Sequence, residues 1–314
     1  MSPARLLILV SLWMPSLVVQ AQGTDALTTL PEEVLSSEDS LSIFKLIDSL
    51  LVLEEQELGT QLGLRLTYNS NMLSTGRTLG INQFGLGAGL SYYHKTGLYA
   101  DFSGFWSDEF DPQYYLTILS AGYMYSLSSK ISLIASYDHY VYNLPYDYIP
   151  YSNALTASSY FDLKPLVFRL DYAYYFGEQN AHRLMPSLGF TLEKRGLLKL
   201  NKVSINPMAM VLLGNESITE IVFPSTRQEW IAALIRLRNG LPWYTLNTKN
   251  VFGVMNYSFM LPLNVSYKNW NFFISYSYNI PKALPGETLV LSESGFLTAS
   301  ITRLLNLKPN KSLL

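Results

Sequence analysis

Few side chains in this sequence are equipped for chemistry, and their positions say more than their number. The usual acid–base and metal-binding set is thin: three histidines and no cysteine in 314 residues. His94, His139 and His182 are widely separated and none belongs to a HExxH-type ligand pair. Without thiols there is no cysteine nucleophile, thiolate metal site or disulfide framework. No catalytic residue, metal site or cofactor is therefore expected. Gly85-Leu86-Gly87-Ala88-Gly89 is glycine-rich but opens no helix, so it is not a phosphate-binding loop, and small residues there suit a crowded inner face. Seven charged residues stand out instead: Arg65, Asp101, Asp138, Arg169, Asp171, Arg183 and Glu193, each opposite the apolar positions of an alternating segment. Arg169 and Asp171 are two apart and share a face. A near-balanced set like this can cross-pair as a structural network or line a small aqueous pore, because charges withdrawn from water must be paired or neutralised. Both remain open at this point.

The elements that must position these residues are strands. In 82–106, Phe84, Leu86, Ala88, Leu90 and Tyr92 share one face while Gln83, Gly85, Gly87, Gly89 and Ser91 share the other. Leu98, Ala100, Phe102 and Trp106 then alternate with Asp101 and Ser103, and His94-Lys95-Thr96-Gly97 closes the pair as a hairpin. The same period recurs in 60–69, 82–94, 97–107, 113–127, 131–142, 153–163, 165–177, 182–194, 197–213, 250–267, 270–280 and 294–304, which makes twelve expected strands. Their linkers alternate: tight at 94–97, 128–130, 164, 195–196 and 268–269, and mostly longer at 70–81, 108–112, 143–152, 178–181, 214–249 and 281–293.

Composition narrows the class. A net charge of −2 excludes a nucleic-acid binder resting on bulk positive charge. Charged residues are 15%, against roughly 25% in soluble chains. Aromatics are 14% with 23 tyrosines, which suits strands and membrane interfaces. Arg5 precedes an apolar run, 6–19, and Val19-Gln20-Ala21 has the spacing of a cleavage site, so 1–21 reads as a signal peptide. Residues 22–58 read as a periplasmic segment, with an amphipathic helix over 41–54. No later run is long enough for a membrane helix, so a membrane span must be built of strands.

Aromatic residues are expected in two girdles. Tyr92, Tyr99, Tyr125, Phe168, Tyr267 and Trp270 fall near the tight turns. Tyr68, Phe84, Trp106, Tyr115, Tyr142 and Phe176 fall near the long loops, with Ala88, Leu119, Ala121, Ala135 and Leu188 between. On these features the chain resembles the outer-membrane β-barrel proteins of Gram-negative bacteria. The resemblance implies an all-β fold, a transmembrane antiparallel up-and-down barrel over 59–305, both termini periplasmic, and a C-terminal tail, 306–314. It implies membrane lipid as a partner, and no functional subfamily is matched. Outer-membrane phospholipases use a lipid-facing His-x-Ser, which is absent: His139 is followed by Tyr140-Val141 and His94 by Lys95-Thr96.

The segment 214–250 is the most individual loop. Thr226-Arg227-Gln228-Glu229 is a capping box, Trp230, Ala233, Leu234 and Leu237 make one helical face, and Asn239-Gly240 then Pro242 end the helix. Such an extracellular helix has several possible places: in the lumen, over the mouth, at a ligand site or packed on the rim. Arg227, Trp230, Arg236 and Arg238 are its candidate contacts for an anionic ligand or lipopolysaccharide phosphate. Three functions follow as expectations. The first is a pore or transporter for small polar solutes. The second is an occluded structural barrel presenting loop 214–250 or helix 41–54 to a periplasmic or envelope protein. The third is a lipid-modifying enzyme.

Overall fold

The computed structural model describes residues 60–70, 85–108, 110–143, 151–287 and 291–307. The expected signal peptide, the 41–54 helix, Phe84 and residues 308–314 lie outside the described residues. The strands are β1 (Gln61–Asn69), β2 (Gly85–Tyr93), β3 (Leu98–Trp106), β4 (Tyr114–Ser128), β5 (Ile131–Tyr142), β6 (Tyr151–Leu163) and β7 (Leu166–Gly177). They continue as β8 (Asn180–Phe190), β9 (Leu192–Arg195), β10 (Lys202–Ile205), β11 (Met208–Val222), β12 (Thr245–Tyr267), β13 (Trp270–Pro281) and β14 (Ser294–Asn306), with one helix, α1 (Arg227–Arg238).

Each strand pairs antiparallel with its sequence neighbour, and β14 returns to β1, so the sheet closes. The fourteen segments make twelve barrel strands, because β8 with β9 and β10 with β11 are single strands interrupted at one level. The cause is Pro207, which has no N–H to give to a ladder. Its carbonyl still accepts from Phe190 N at 2.9 Å, and Thr191 N turns to Pro165 O at 2.7 Å. At the turn between β2 and β3, Gly97 has φ 95 and a Cβ there would sit 2.1 Å from the Met124 carbonyl oxygen, so only glycine fits.

The two faces of the sheet are inverted relative to a soluble protein. In β13, Phe272, Ile274 and Tyr276 are exposed, whereas Asn271, Ser275, Ser277 and Asn279 are buried. The same alternation leaves Leu66 65%, Leu98 57%, Leu188 57% and Leu261 54% exposed. In water that belt would be an aggregation surface; in a bilayer it is the solvated face, and closure pairs the barrel strands on both sides. No helix among the described residues is long and apolar enough to cross a membrane; the crossing is made by strands. The chain is a closed antiparallel β-barrel whose outward belt is apolar, as membrane-spanning barrels require.

Four expectations are corrected. Tyr99 and Tyr142 stand in the two-residue period of Asp101 and Asp138 and so turn inward, and a bulge at Trp106/Tyr114 turns Tyr115 in as well, to 2% exposure. None of the three belongs to the outer girdle. The turn after β9 is not tight: Leu197–Lys199 forms a 3-10 turn behind Gly196 (φ 68), and the chain re-enters the sheet only at Lys202. The two ends of the expected loop 214–249 are ladder, paired from Gly214↔Gly253 to Val222↔Thr245. The last strand reaches Asn306, two residues past the expected 304, and Asn306 Oδ1 accepts from Gln61 Nε2 at 2.8 Å.

Candidate functional site

The interior is built from three kinds of inward-facing side chain. The first kind is charged. Arg65 of β1 reaches across Gly89 of β2 to β3, where its Nη2 donates to Ser103 Oγ at 2.7 Å and stands 3.4 Å from both Asp101 oxygens. A Cβ on Gly89 would lie 2.7 Å from that Nη2, which is why β2 carries no side chain there. Ser91 and Ser103 both donate to Asp101, the latter at 2.6 Å. Asp138 of β5 is fully buried beside Ser136, which bonds Thr156. On β7, Arg169 Nε donates to both oxygens of Asp171 at 2.8 and 2.7 Å and Nη2 lies 2.6 Å from Oδ1, while Ser158 donates to the same carboxylate.

Towards the long-loop end, Arg183 pairs with Glu216 and donates to Asn215 O at 2.6 Å. At the short-turn end, Glu193 lies 3.1 Å from Lys164 and 3.4 Å from Lys202. The structure thus groups Arg65 with Asp101 and Arg169 with Asp171, and gives Arg183 and Glu193 partners not singled out from the sequence. Glu216, Lys164 and Lys202 are those partners. Glu216 was hidden because its segment is too polar to read as strand, while Lys164 and Lys202 sit at turns.

The second kind is uncharged and polar, and sequence reasoning missed it. On β12 to β14, Asn256 Nδ2 donates to Ser258 Oγ at 3.0 Å and to Asn279 Oδ1 at 3.1 Å, and Ser258 Oγ donates to Asn279 Oδ1 at 2.6 Å. Thr298 closes this wall onto β1 by donating to Asn69 at 2.6 Å. The signal was available in β13, where Asn271, Ser275, Ser277 and Asn279 alternate with Phe272, Ile274, Tyr276 and Tyr278. The third kind is apolar. One cluster includes Met185, Met210, Met255, Phe273 and Phe296, against which Tyr160 packs. Another includes Phe105, Tyr115, Tyr140, Tyr151 and Tyr175. Between them lies a cavity of about 40 Å³ lined by residues that include Thr156, Ser158, Arg169, Asp171 and Met185.

The loop helix forms as its capping box dictates: Glu229 N donates to Thr226 Oγ1 at 3.3 Å and Thr226 N to Glu229 at 3.0 Å. Those bonds, with the backbone of Ser225 contributing most, hold the Glu229 carboxyl below the usual range. Its expected face is not packed on the rim. Ala233 is buried, but Trp230, Leu234 and Leu237 are 48%, 61% and 56% exposed. Trp230 stacks on Trp243 at 5.7 Å and 12°, and Phe223 lies 5.2 Å from Trp243, so an aromatic group ties the helix to the end of its own hairpin. Arg227 and Arg238 are exposed and Arg236 half-buried.

The histidines do not converge. His94 Nδ1 lies 2.8 Å from Thr96 Oγ1 in the first hairpin turn, His139 Nδ1 2.9 Å from Asn153 Oδ1, and His182 Nδ1 2.8 Å from the Tyr172 hydroxyl. Among the described residues no group of three or more His, Cys, Asp or Glu side chains is placed to hold a metal ion.

No family model and no curated protein sequence matches the chain. Solved structures do resemble it. The KdgM porin is 11% identical with TM-score 0.42, covering 77% of this chain and 98% of its own. The NanC porin is 12% identical with TM-score 0.40, covering 77% and 98%. LpxR from Salmonella typhimurium is 10% identical with TM-score 0.38, covering 77% and 99%. Similarities of this size do not discriminate among functions.

Proposed function

We propose that this barrel conducts small polar solutes, and that its preference is for uncharged ones. The observation that carries the reading is the inward face. Arg65 with Asp101, Arg169 with Asp171 and Arg183 with Glu216 balance one another across β1 to β11, and the facing wall of β12 to β14 offers asparagine, serine and threonine. A lining of balanced charge creates no net potential to favour an ion of either sign, while amide and hydroxyl groups exchange hydrogen bonds with a hydroxylated solute at little cost. Seven of the expected lumen candidates enter this proposal as lining residues: Arg65, Asp101, Asp138, Arg169, Asp171, Arg183 and Glu193.

The test is reconstitution in a planar bilayer, together with liposome swelling in a series of neutral and charged sugars. Discrete conductance steps are expected, with neutral sugars entering faster than acids or amines of equal size. Absence of both, with the hairpin tip 223–244 present or replaced by a two-residue turn, would sink the proposal.

A second reading is favoured by one specific observation: the same inward side chains are nearly all buried, Asp138 and Ser275 completely. On that reading the barrel is a filled anchor, and its projecting hairpin or the 41–54 segment meets an envelope protein. Crosslinking in cells followed by purification separates the two, since an anchor retains a stoichiometric partner and a channel needs none.

A further inference from the structure

The outer surface is not uniformly apolar. At the long-loop end of β1, β2, β3, β13 and β14, the outward positions are Tyr68, Leu86, Trp106, Tyr276 and Leu297, all exposed. At the same end of β5 to β8 the belt is mixed: Val141 of β5 is exposed, while the outward positions next to it on β5, β6 and β8 are polar. His139 of β5 is paired in register with Asn153 of β6, and Asn153 Oδ1 accepts from both His139 Nδ1 and, at 2.6 Å, the Tyr137 hydroxyl. Three strands round, His182 of β8 is held by Tyr172 and lies against the Tyr174 ring at 4.9 Å. That places the two imidazoles roughly 15 Å apart on one face. Between them Tyr174 and Phe176 present stacked rings at 5.6 Å and 19°. Past His182, its backbone N–H donates to Asn215, which is itself buried and bonded to Asn250 at 3.0 Å, so the accessible polar groups of this face are those of His139, Asn153 and His182.

We propose that this face binds the saccharide headgroup of a glycolipid in the outer leaflet, the long-loop end lying outside. In each imidazole Nδ1 is engaged by a neighbour, which leaves Nε2 as the ring's remaining polar atom. Hydrocarbon offers Nε2 nothing, and each imidazole would lose about 1–3 kcal/mol if dried without a partner there. A headgroup at this depth supplies hydroxyls for the imidazoles, and the apolar face of a sugar ring lies flat on an aromatic ring. The outward positions of β5 to β8 here carry no lysine or arginine, so a phosphate is not the group this face is built to take.

The proposal concerns the outside of the barrel and does not depend on conduction through it. Its test follows the ring protons of the three histidines by NMR in phosphatidylcholine nanodiscs holding the full folded chain, titrated with a synthetic neutral diglycosyl lipid or with phosphatidylglycerol. His94, in a turn at the opposite end, is the internal control. The expected result is saturable shifts at His139 and His182 with the glycolipid only, and affinity about fivefold weaker in Asn153→Leu, the loss of one neutral hydrogen bond. His182→Leu gives the same reading at the other end should the first variant not fold. Shifts that are absent, equal with phosphatidylglycerol, equal at His94, or dependent on protein concentration alone would each overturn it, the last by assigning the face to a second copy.

Discussion

Asp171→Leu asks whether the interior is dry. The Asp171 carboxylate receives Arg169 Nε at 2.8 and 2.7 Å and Nη2 at 2.6 Å, with the two side chains 8% and 6% exposed. If that burial excludes water, removing the acid strips a guanidinium of its carboxylate in a poor dielectric, which costs about 3–5 kcal/mol. Arg169→Met removes the other partner and leaves Asp171 with Ser158, at a similar cost. The double variant Arg169→Met/Asp171→Leu replaces the pair with apolar volume next to Met185, which lines the same cavity, and should recover to within about 1–2 kcal/mol of the parent. The assay is reversible unfolding in guanidinium with lipid vesicles, followed by the fluorescence of the girdle tryptophans, with the m-value checked for constancy. If instead each single change costs under about 1 kcal/mol and the double is their sum, the pair behaves as an exposed one. The dry-interior reasoning is then refuted and a water-filled lumen follows.

Further outcomes are expected elsewhere. Gly122→Ala should destabilise more than Gly89→Ala, by about 1–3 kcal/mol on the same assay. The reason is that a Cβ at Gly122 meets the Ala135 carbonyl oxygen at 2.5 Å and the Tyr99 ring at 2.6 Å, whereas at Gly89 it meets only the movable end of Arg65. Thr226→Ala should cost about 1 kcal/mol of local helix stability through loss of the cap, read as amide exchange in α1 with barrel strands unaffected. The Glu229 carboxyl is depressed in the folded state, so its contribution is full above the ordinary carboxylate range and disappears as pH falls through the depressed value; Trp230 emission should report α1 fraying only on that acid side, and an alkaline change would contradict it. Trp243→Ala should release α1 from the hairpin, seen as faster proteolysis within 223–244 and unchanged conductance.

The parts of this molecule that were legible in its sequence share one physical cause. Wherever a strand crosses lipid, one face must be apolar along its whole length and the other need not be, so β2, β3, β5 and β7 announce themselves by period two and place Asp101, Asp138, Arg169 and Asp171 opposite the apolar face. The constraint ends where lipid ends. Beyond Met255, β12 pairs with β11 alone and projects roughly 30 Å of two-stranded ribbon, and there Ser217, Asn247 and Thr248 are as acceptable as any aliphatic residue. That ladder reads as loop, and Glu216, the partner of Arg183, disappears with it. Bulges act differently: at Trp106/Tyr114 and at Leu212/Leu213 one strand gains a residue, so the faces exchange and a tyrosine expected in the girdle arrives inside. Pro207 breaks two neighbouring strands at a single level, because a missing donor is felt by the partner as well as by its own chain. Alternation therefore predicts facing only between such points. The interior polar wall of β12 to β14 falls in an uninterrupted stretch, which is why serines and asparagines there, unremarkable by type, were recoverable from position alone.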